Sequence, residues 1–270
     1  MKRLFAIALL GTLTASAEEG MRSGHATAQW LVASQEDGKI ETIVRLQVDE
    51  KWHTYWYNPG EAGMPTSVEL KLPEGWAGSG LRHPAPKKFK TGGLHGFGHE
   101  GKVDYGLILS PPDGFDGDAE LKATVSWLTC NDDSCIPGEV TLKLKVKRGK
   151  VIGSKMDAEA YALADSRFPE LTKRMKKFSA VHLKLEDGKD HWVFKIEKPL
   201  NLERDVDKVL VFVETQELVP ASANVKFVRE GDLWVAKAPK GEFAPEKPEE
   251  CAIVLVQEGK FPMKLVWKAQ

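Results

Sequence analysis

Cysteine is scarce in this chain, with three residues in 270. Long apolar runs are missing as well. No stretch approaches the roughly 20 apolar residues that a membrane-spanning helix needs, so stable membrane insertion is not expected. Blocks of like charge are also missing, and the formal net charge is -1. Without a basic patch, neither nucleic acid nor an anionic membrane surface is an expected partner. There is no low-complexity segment and no clear short-period repeat. The 42% hydrophobic content suits a globular chain with a real core.

What stands at the amino terminus is an export pattern. Met1-Lys2-Arg3 is positive, and Leu4 to Leu13 is apolar apart from Gly11 and Thr12. Ala15-Ser16-Ala17 before Glu18-Glu19 is a small-x-small cleavage site. That order is the pattern of a secretory signal peptide, with an apolar core of about ten residues, too short to cross a bilayer. Residues 1–17 are read as the signal peptide, and the expected compartment is the periplasm, with secretion as the alternative. Disulfides persist there. Cleavage leaves about 250 residues, room for two domains of common size, and a formal charge of about -3.

Two strand-rich halves follow. In the first, Ala28-Gln-Trp30-Leu-Val32, Val44-Arg-Leu46-Gln-Val48, Val68-Glu-Leu70-Lys-Leu72 and Val103-Asp-Tyr105-Gly-Leu107-Ile-Leu109 alternate largely with period two. Leu121-Lys-Ala123-Thr-Val125-Ser-Trp127 and Val140-Thr-Leu142-Lys-Leu144-Lys-Val146 do the same. Alternation puts one side of each strand on a core and the other in water. Asp37-Gly38, Asn58-Pro59-Gly60, Pro73-Glu-Gly75, Pro111-Pro112-Asp113-Gly114 and Pro137-Gly138 separate the runs as turns. Short strands and frequent turns predict an all-β fold, an immunoglobulin-like sandwich over residues 18–148.

Residues 149–178 read as a helical connector. Asp157-Ala-Glu-Ala-Tyr-Ala-Leu-Ala-Asp165 is made mostly of good helix formers. Pro169 is expected to open a second short helix through Met175, with Lys173, Arg174, Lys176 and Lys177 suiting its end. A second β-sandwich is expected over residues 179–270. Val181-His-Leu183-Lys-Leu185, Trp192-Val-Phe194-Lys-Ile196 and Val209-Leu-Val211-Phe-Val213 read as strands there. Hairpins are expected from Val225 to Val235 and from Ile253 to Trp267. Cys251 is the odd thiol, read as a semi-buried bystander.

The other two cysteines carry the chemistry. They stand in Trp127-Leu-Thr-Cys130-Asn-Asp-Asp-Ser-Cys135-Ile-Pro-Gly138. A disulfide closing so short a loop removes little unfolded-state entropy, roughly 2 kcal/mol against nearly 5 for a 100-residue loop. The spacing does suit a pair that closes and reopens, one thiol attacking a partner while the other resolves the mixed disulfide. Spacing alone leaves open a structural staple, a redox dithiol and a metal site completed by His95 and His99.

The surrounding motifs narrow this. Trp52-His-Thr-Tyr55-Trp56-Tyr-Asn58-Pro59-Gly60-Glu-Ala-Gly63-Met64-Pro65-Thr-Ser67, Leu72-Pro73-Glu-Gly75-Trp76, Pro84-Ala-Pro86-Lys-Lys-Phe89 and the cysteine segment with Ile136-Pro137 occur in that order. Residues 26–147 resemble the amino-terminal domain of the thiol:disulfide interchange protein DsbD family, in its ScsB-like branch. A weaker similarity runs on through the connector into the second half. The aromatic cluster Trp52, Tyr55, Trp56 and Tyr57 reads, without the family, as core and turn packing.

The resemblance implies an immunoglobulin-like domain whose Cys130–Cys135 pair takes electrons from a thioredoxin-like domain or membrane reductase. The pair would pass them to exported client oxidoreductases, in cytochrome c-type biogenesis or disulfide isomerisation. Cys135 would form the mixed disulfide and Cys130 resolve it, with no cofactor. The family covers its pair with a mobile cap loop. Here residues 92–99 are the candidate, with Leu94, His95 and Phe97 as cap residues and Leu94 or Phe97 as the lid; an ordinary hairpin loop is the alternative. Full-length members continue into membrane and thioredoxin-like domains that these 270 residues lack, so another protein is expected to supply the electrons. The spacing is one residue shorter than in some members, and Asp132 and Asp133 inside the loop disfavour a thiolate. The competing functional reading is a non-enzymatic partner- or copper-binding module with a structural disulfide.

Overall fold

The computed structural model describes residues 20–36, 38–172, 181–197 and 205–269. The expected signal peptide and the basic cluster Lys173, Arg174, Lys176 and Lys177 lie outside the described residues.

Alternating side chains build the first half into strands. In chain order these are β1 (Met21–Ser23), β2 (Ala26–Glu36), β3 (Lys39–Val48), β4 (His53–Gly60), β5 (Ser67–Lys71) and β6 (Ala77–Gly78). They continue with β7 (Lys87–Thr91), β8 (Leu94–Glu100), β9 (Lys102–Ser110), β10 (Ala119–Cys130), β11 (Cys135–Lys147) and β12 (Lys150–Ile152). One sheet has the order β1-β2-β3-β9-β6. The other has β12-β11-β10-β4-β8-β7, with β5 also pairing β10. They enclose one core, to which Trp30, Leu46, Tyr105 and Leu107 contribute from the first sheet and Leu121, Val125, Trp127 and Leu144 from the second. Along β10 and β11 every second residue is buried through most of the length, as strand geometry requires of a sheet with one wet face.

The connector begins as strand, since β12 extends the second sheet along β11. Helix α1 (Ala158–Asp165) then forms where the helix formers predict it. The Asp157 side chain caps it by accepting from the Ala160 backbone N–H at 2.8 Å. Met156, Ala164 and Phe168 pack on Leu31 and Ile43 of the first half. Arg82 stacks 4.6 Å over Phe168 and pairs with Asp165 and Glu170.

The second half contains β13 (Glu170–Leu171), β14 (His182–Asp187), β15 (His191–Glu197), β16 (Leu210–Val213), β17 (Val228–Glu230), β18 (Leu233–Pro239), β19 (Glu250–Val256) and β20 (Met263–Lys268). Its sheets run β13-β20-β19-β16 and β14-β15-β18-β17 around a separate core that includes Trp192, Phe194, Phe227, Trp234 and Cys251. The helix expected after Pro169 is not what its described residues form. Glu170 and Leu171 instead pair in parallel with Met263 and Lys264, because a neighbouring strand satisfies backbone groups that so short a helix satisfies poorly. The expected hairpin near Val225 is shifted: Val228 pairs with Val235 and Glu230 with Leu233, while Val225 and Phe227 go into the core.

The halves meet on a shared apolar contact. Trp56 and Phe97 of the first pack with Phe212, Ala221 and Val254 of the second. Asn58 Nδ2 donates to the Val213 carbonyl at 2.8 Å, and Gln216 Nε2 to the Tyr57 carbonyl at 2.8 Å. Among the described residues no helix is long and apolar enough to cross a membrane.

One glycine is fixed by this packing. Gly138 lies opposite Trp127, and a Cβ there would come within 2.4 Å of the buried indole. Gly138→Ala is expected to lower stability by about 1–3 kcal/mol, read as a fall in the urea midpoint. An unchanged midpoint would mean that Trp127 is free to move aside.

Candidate thiol–disulfide site

The β10–β11 ladder ends at Cys130 and Cys135, which face each other directly and are joined as a disulfide with Cα atoms 4.1 Å apart. The four-residue turn between them has its own support. Asn131 Oδ1 accepts from the backbone N–H groups of Asp133 at 2.9 Å and Ser134 at 2.8 Å, and the Asn131 N–H donates to the Ser134 carbonyl at 3.0 Å. Such a side-chain turn holds the chain reversal without help from the sulfurs. Asp132 and Asp133 stand exposed at its tip.

Residues directly opposed across a ladder share a face. Trp127 and Thr129 point into the core, so Cys130 and Cys135 lie on the outer face, with half-exposed Lys122, Thr124 and Ser126. Yet Cys130 is 0% exposed while Cys135 is open to solvent. Groups beyond the β10–β11 pair therefore bury Cys130 and leave Cys135 open.

On the Cys130 side the sheet continues into β4 and the β7–β8 hairpin. His53 is the residue opposite Cys130 on β4, and Tyr55 follows on the same face. Phe89 of β7 lies with its ring centre 4.0 Å from that of His53 and 5.6 Å from that of Tyr55. Thr91 Oγ1 and the Tyr55 hydroxyl each stand 3.4 Å from His53 Nε2. Glycine makes the close approach possible: a Cβ on Gly96 would fall 2.6 Å from the Phe89 ring, and one on Gly98 1.9 Å from the Thr54 carbonyl oxygen. Burial pushes the His53 pKa down, opposed by Glu100 and Asp132, and pushes the Tyr55 hydroxyl up. An aromatic cluster of His53, Tyr55 and Phe89 therefore stands on the outer face beside Cys130.

The expected cap residues separate. Leu94 is at the hairpin tip, 49% exposed. The His95 backbone N–H donates to Glu61 Oε2 at 2.8 Å. Phe97 is not a lid. It is 5% exposed and lies against Trp56 and Phe212, with ring centres 6.4 and 5.7 Å away. The reason is parity: Phe97 pairs with Lys88 and Gly96 with Phe89, so Phe97 and Phe89 occupy opposite faces of the ribbon. His99, proposed with His95 as a metal ligand, is paired with Thr54 and buried beside Tyr105 and His83. Among the described residues no three His, Cys, Asp or Glu side chains gather around a common point. His53 and Phe89 escaped notice, although both stand inside the motifs quoted above.

Comparison with known proteins gives this hairpin its class. Residues 25–147 match the family model described as thiol:disulfide interchange protein DsbD, N-terminal. The likeness in fold runs further. The chain is similar to the N-terminal periplasmic domain of ScsB from Proteus mirabilis, at 16% identity and a TM-score of 0.62, over 90% of this chain and 93% of that one. No curated protein matches the chain.

Two predictions follow from the burial pattern. After reduction, a brief pulse of N-ethylmaleimide should label Cys135 at least about ten times faster than Cys130, since modification requires an accessible thiolate; equal rates would contradict the asymmetry. Burial also holds His99 at about 3 and His83 at about 4, below the 6.5 of an unperturbed histidine. As pH falls the unfolded chain takes up these protons first. Their contribution to stability is therefore complete above about pH 6.5 and is lost toward pH 4. The unfolding free energy should fall by up to about 1.4 kcal/mol per pH unit per histidine between pH 6.5 and 4.5. His99→Asn should flatten that slope, and a flat wild-type profile would contradict the assignment.

Proposed function

We propose that this chain is an exported thiol–disulfide exchange protein. Its Cys130–Cys135 dithiol relays electrons from a thioredoxin-like domain or membrane reductase to exported client oxidoreductases. The single observation that carries this reading is the asymmetry of the pair: an exposed Cys135 beside a fully buried Cys130, whose ladder neighbour His53 packs on Phe89. A staple has no need of one open sulfur and a separate cover over the other. The family match over residues 25–147 supports the same chemistry. Likeness to a periplasmic domain supports export to that compartment, and two sheet pairs, each around its own core, support the reading of two immunoglobulin-like sandwiches joined by the connector.

The steps balance as two consecutive exchanges. A donor thiolate attacks Cys135 Sγ, the Cys130–Cys135 bond breaks, and Cys130 leaves as the thiolate. The donor's second thiolate then attacks its own sulfur in the mixed disulfide, releasing Cys135; the donor ends oxidised and the pair reduced. In the second exchange Cys135 attacks a client disulfide, and Cys130 resolves the mixed disulfide to release the reduced client. Sulfur at 135 meets both partners, and sulfur at 130 stays inside.

Equilibration with glutathione buffers tests this. The folded protein should interconvert reversibly between disulfide and dithiol while its circular dichroism stays unchanged. A pair that resists reduction until the domain unfolds would mark a structural staple and end the proposal. Cys130→Ser should accumulate a glutathione adduct on Cys135, whereas Cys135→Ser should remain largely unmodified.

A further inference from the structure

We infer that the second sheet pair positions the β7–β8 hairpin over Cys130, with Phe97 as the positioning residue through which it acts. The inference rests on the exchange reading and gives the second half a task in it, namely fixing which of the two sulfurs can be attacked.

The hairpin is a two-faced ribbon. Phe89 and Thr91 lie on one face, against His53 and Tyr55. Lys88 and Phe97, a cross-strand pair, lie on the other. The ribbon cannot rely on its own sheet for rigidity. β7 is the last strand of its sheet, and β8 pairs regularly with β4 only from Gly98 to Glu100. Between Tyr55 and Gly60 the register shifts, and the next pair is Gly60 with Gly96. The outer half of the ribbon, which carries Phe89 and Thr91, thus extends past the regular ladder, and Gly92 and Gly93 turn at its end. A two-stranded ribbon without further packing is marginal in water.

The missing support comes from the second half. Phe97 packs edge-on against Phe212 at 5.7 Å between centres, inside the cluster with Ala221 and Val254. Lys88 Nζ donates to the Ala223 carbonyl at 3.0 Å and sits 5.8 Å over the Phe97 ring. Glu61 ties the tip to the same surface. It accepts from the His95 N–H and hydrogen-bonds Ser222, and both interactions hold its carboxyl below the usual range. Three contacts of different chemistry therefore converge on one side of the ribbon, and the other side packs on His53, the ladder neighbour of Cys130. Loosening them should expose Cys130 without disturbing the core.

The experiment is pulsed N-ethylmaleimide labelling of the reduced full chain, read cysteine by cysteine, in Phe212→Ala and Phe212→Leu. Phe212 is on the outer side of the second half and touches neither sulfur. Phe212→Ala should raise Cys130 labelling about tenfold relative to Cys135, and Phe212→Leu should restore most of the protection. Cys251, fully buried in the second core with its pKa pushed up to about 12, is the internal control. Local opening labels Cys130 and spares Cys251, whereas global unfolding labels both. If Phe212→Ala unfolds, Lys88→Met decides, since it removes the bond to Ala223 and the ammonium over Phe97 and keeps the Phe97–Phe212 contact; a two- to threefold rise at Cys130 is expected. Unchanged Cys130 labelling in a folded variant would overturn the inference. Failure of glutathione to reduce the folded wild-type pair would instead overturn the exchange reading, and the two outcomes are distinguishable.

Discussion

Cys130 lies on the solvent side of its sheet and is nevertheless fully buried, and most of the architecture around it answers that one constraint. A sulfur on the inner face would be covered by the core and could not be reached without unfolding. A sulfur on the outer face needs a separate cover, which can lift while the core stays intact. The outer strands β7 and β8 of the same sheet fold their ribbon against His53, the ladder neighbour of Cys130, and it fits because Gly96 and Gly98 leave space for Phe89 and for the Thr54 backbone. Glycine, however, provides no packing of its own. The ribbon therefore takes its stiffness from Phe97, Lys88 and Glu61 against the second half.

The energetics of the pair agree with this arrangement. Closing so short a loop constrains the unfolded chain by only about 2 kcal/mol, and Asn131 already holds the turn through hydrogen bonds. Reduction should therefore leave the hairpin folded, as a reversible exchange requires. Cys251 is withdrawn into the second core, so it does not compete for partner disulfides.

Much of this was legible in the residues. Period-two alternation located the long strands, since each must bury one face, and the run of helix formers from Asp157 to Asp165 located the helix. The close cysteine pair with its flanking motifs pointed to the site. The lid was harder to read. Apolar alternation identifies which face of a strand is buried, but Gly92, Gly93, Gly96 and Gly98 remove the side chains on which such a reading depends. Phe97 looked like the exposed member of a glycine-rich loop, and its burial became visible only with Phe212, a residue more than a hundred positions away. Phe89 stood in plain view among lysines, where an edge strand with one aromatic resembles a surface loop. Glu170 and Leu171 failed as a helix for a similar reason: their partners, Met263 and Lys264, are remote in sequence.

The account depends on Cys135 being the sulfur that meets partners while Cys130 stays sheltered. The most direct measurement is to incubate oxidised protein with a reduced thioredoxin-like domain whose own resolving cysteine has been replaced by serine, and to map the trapped complex by peptide mass spectrometry. The account predicts a covalent complex linked through Cys135, with Cys130 recovered as a free thiol. A complex linked through Cys130, or no covalent complex with a donor competent toward other disulfides, would contradict it.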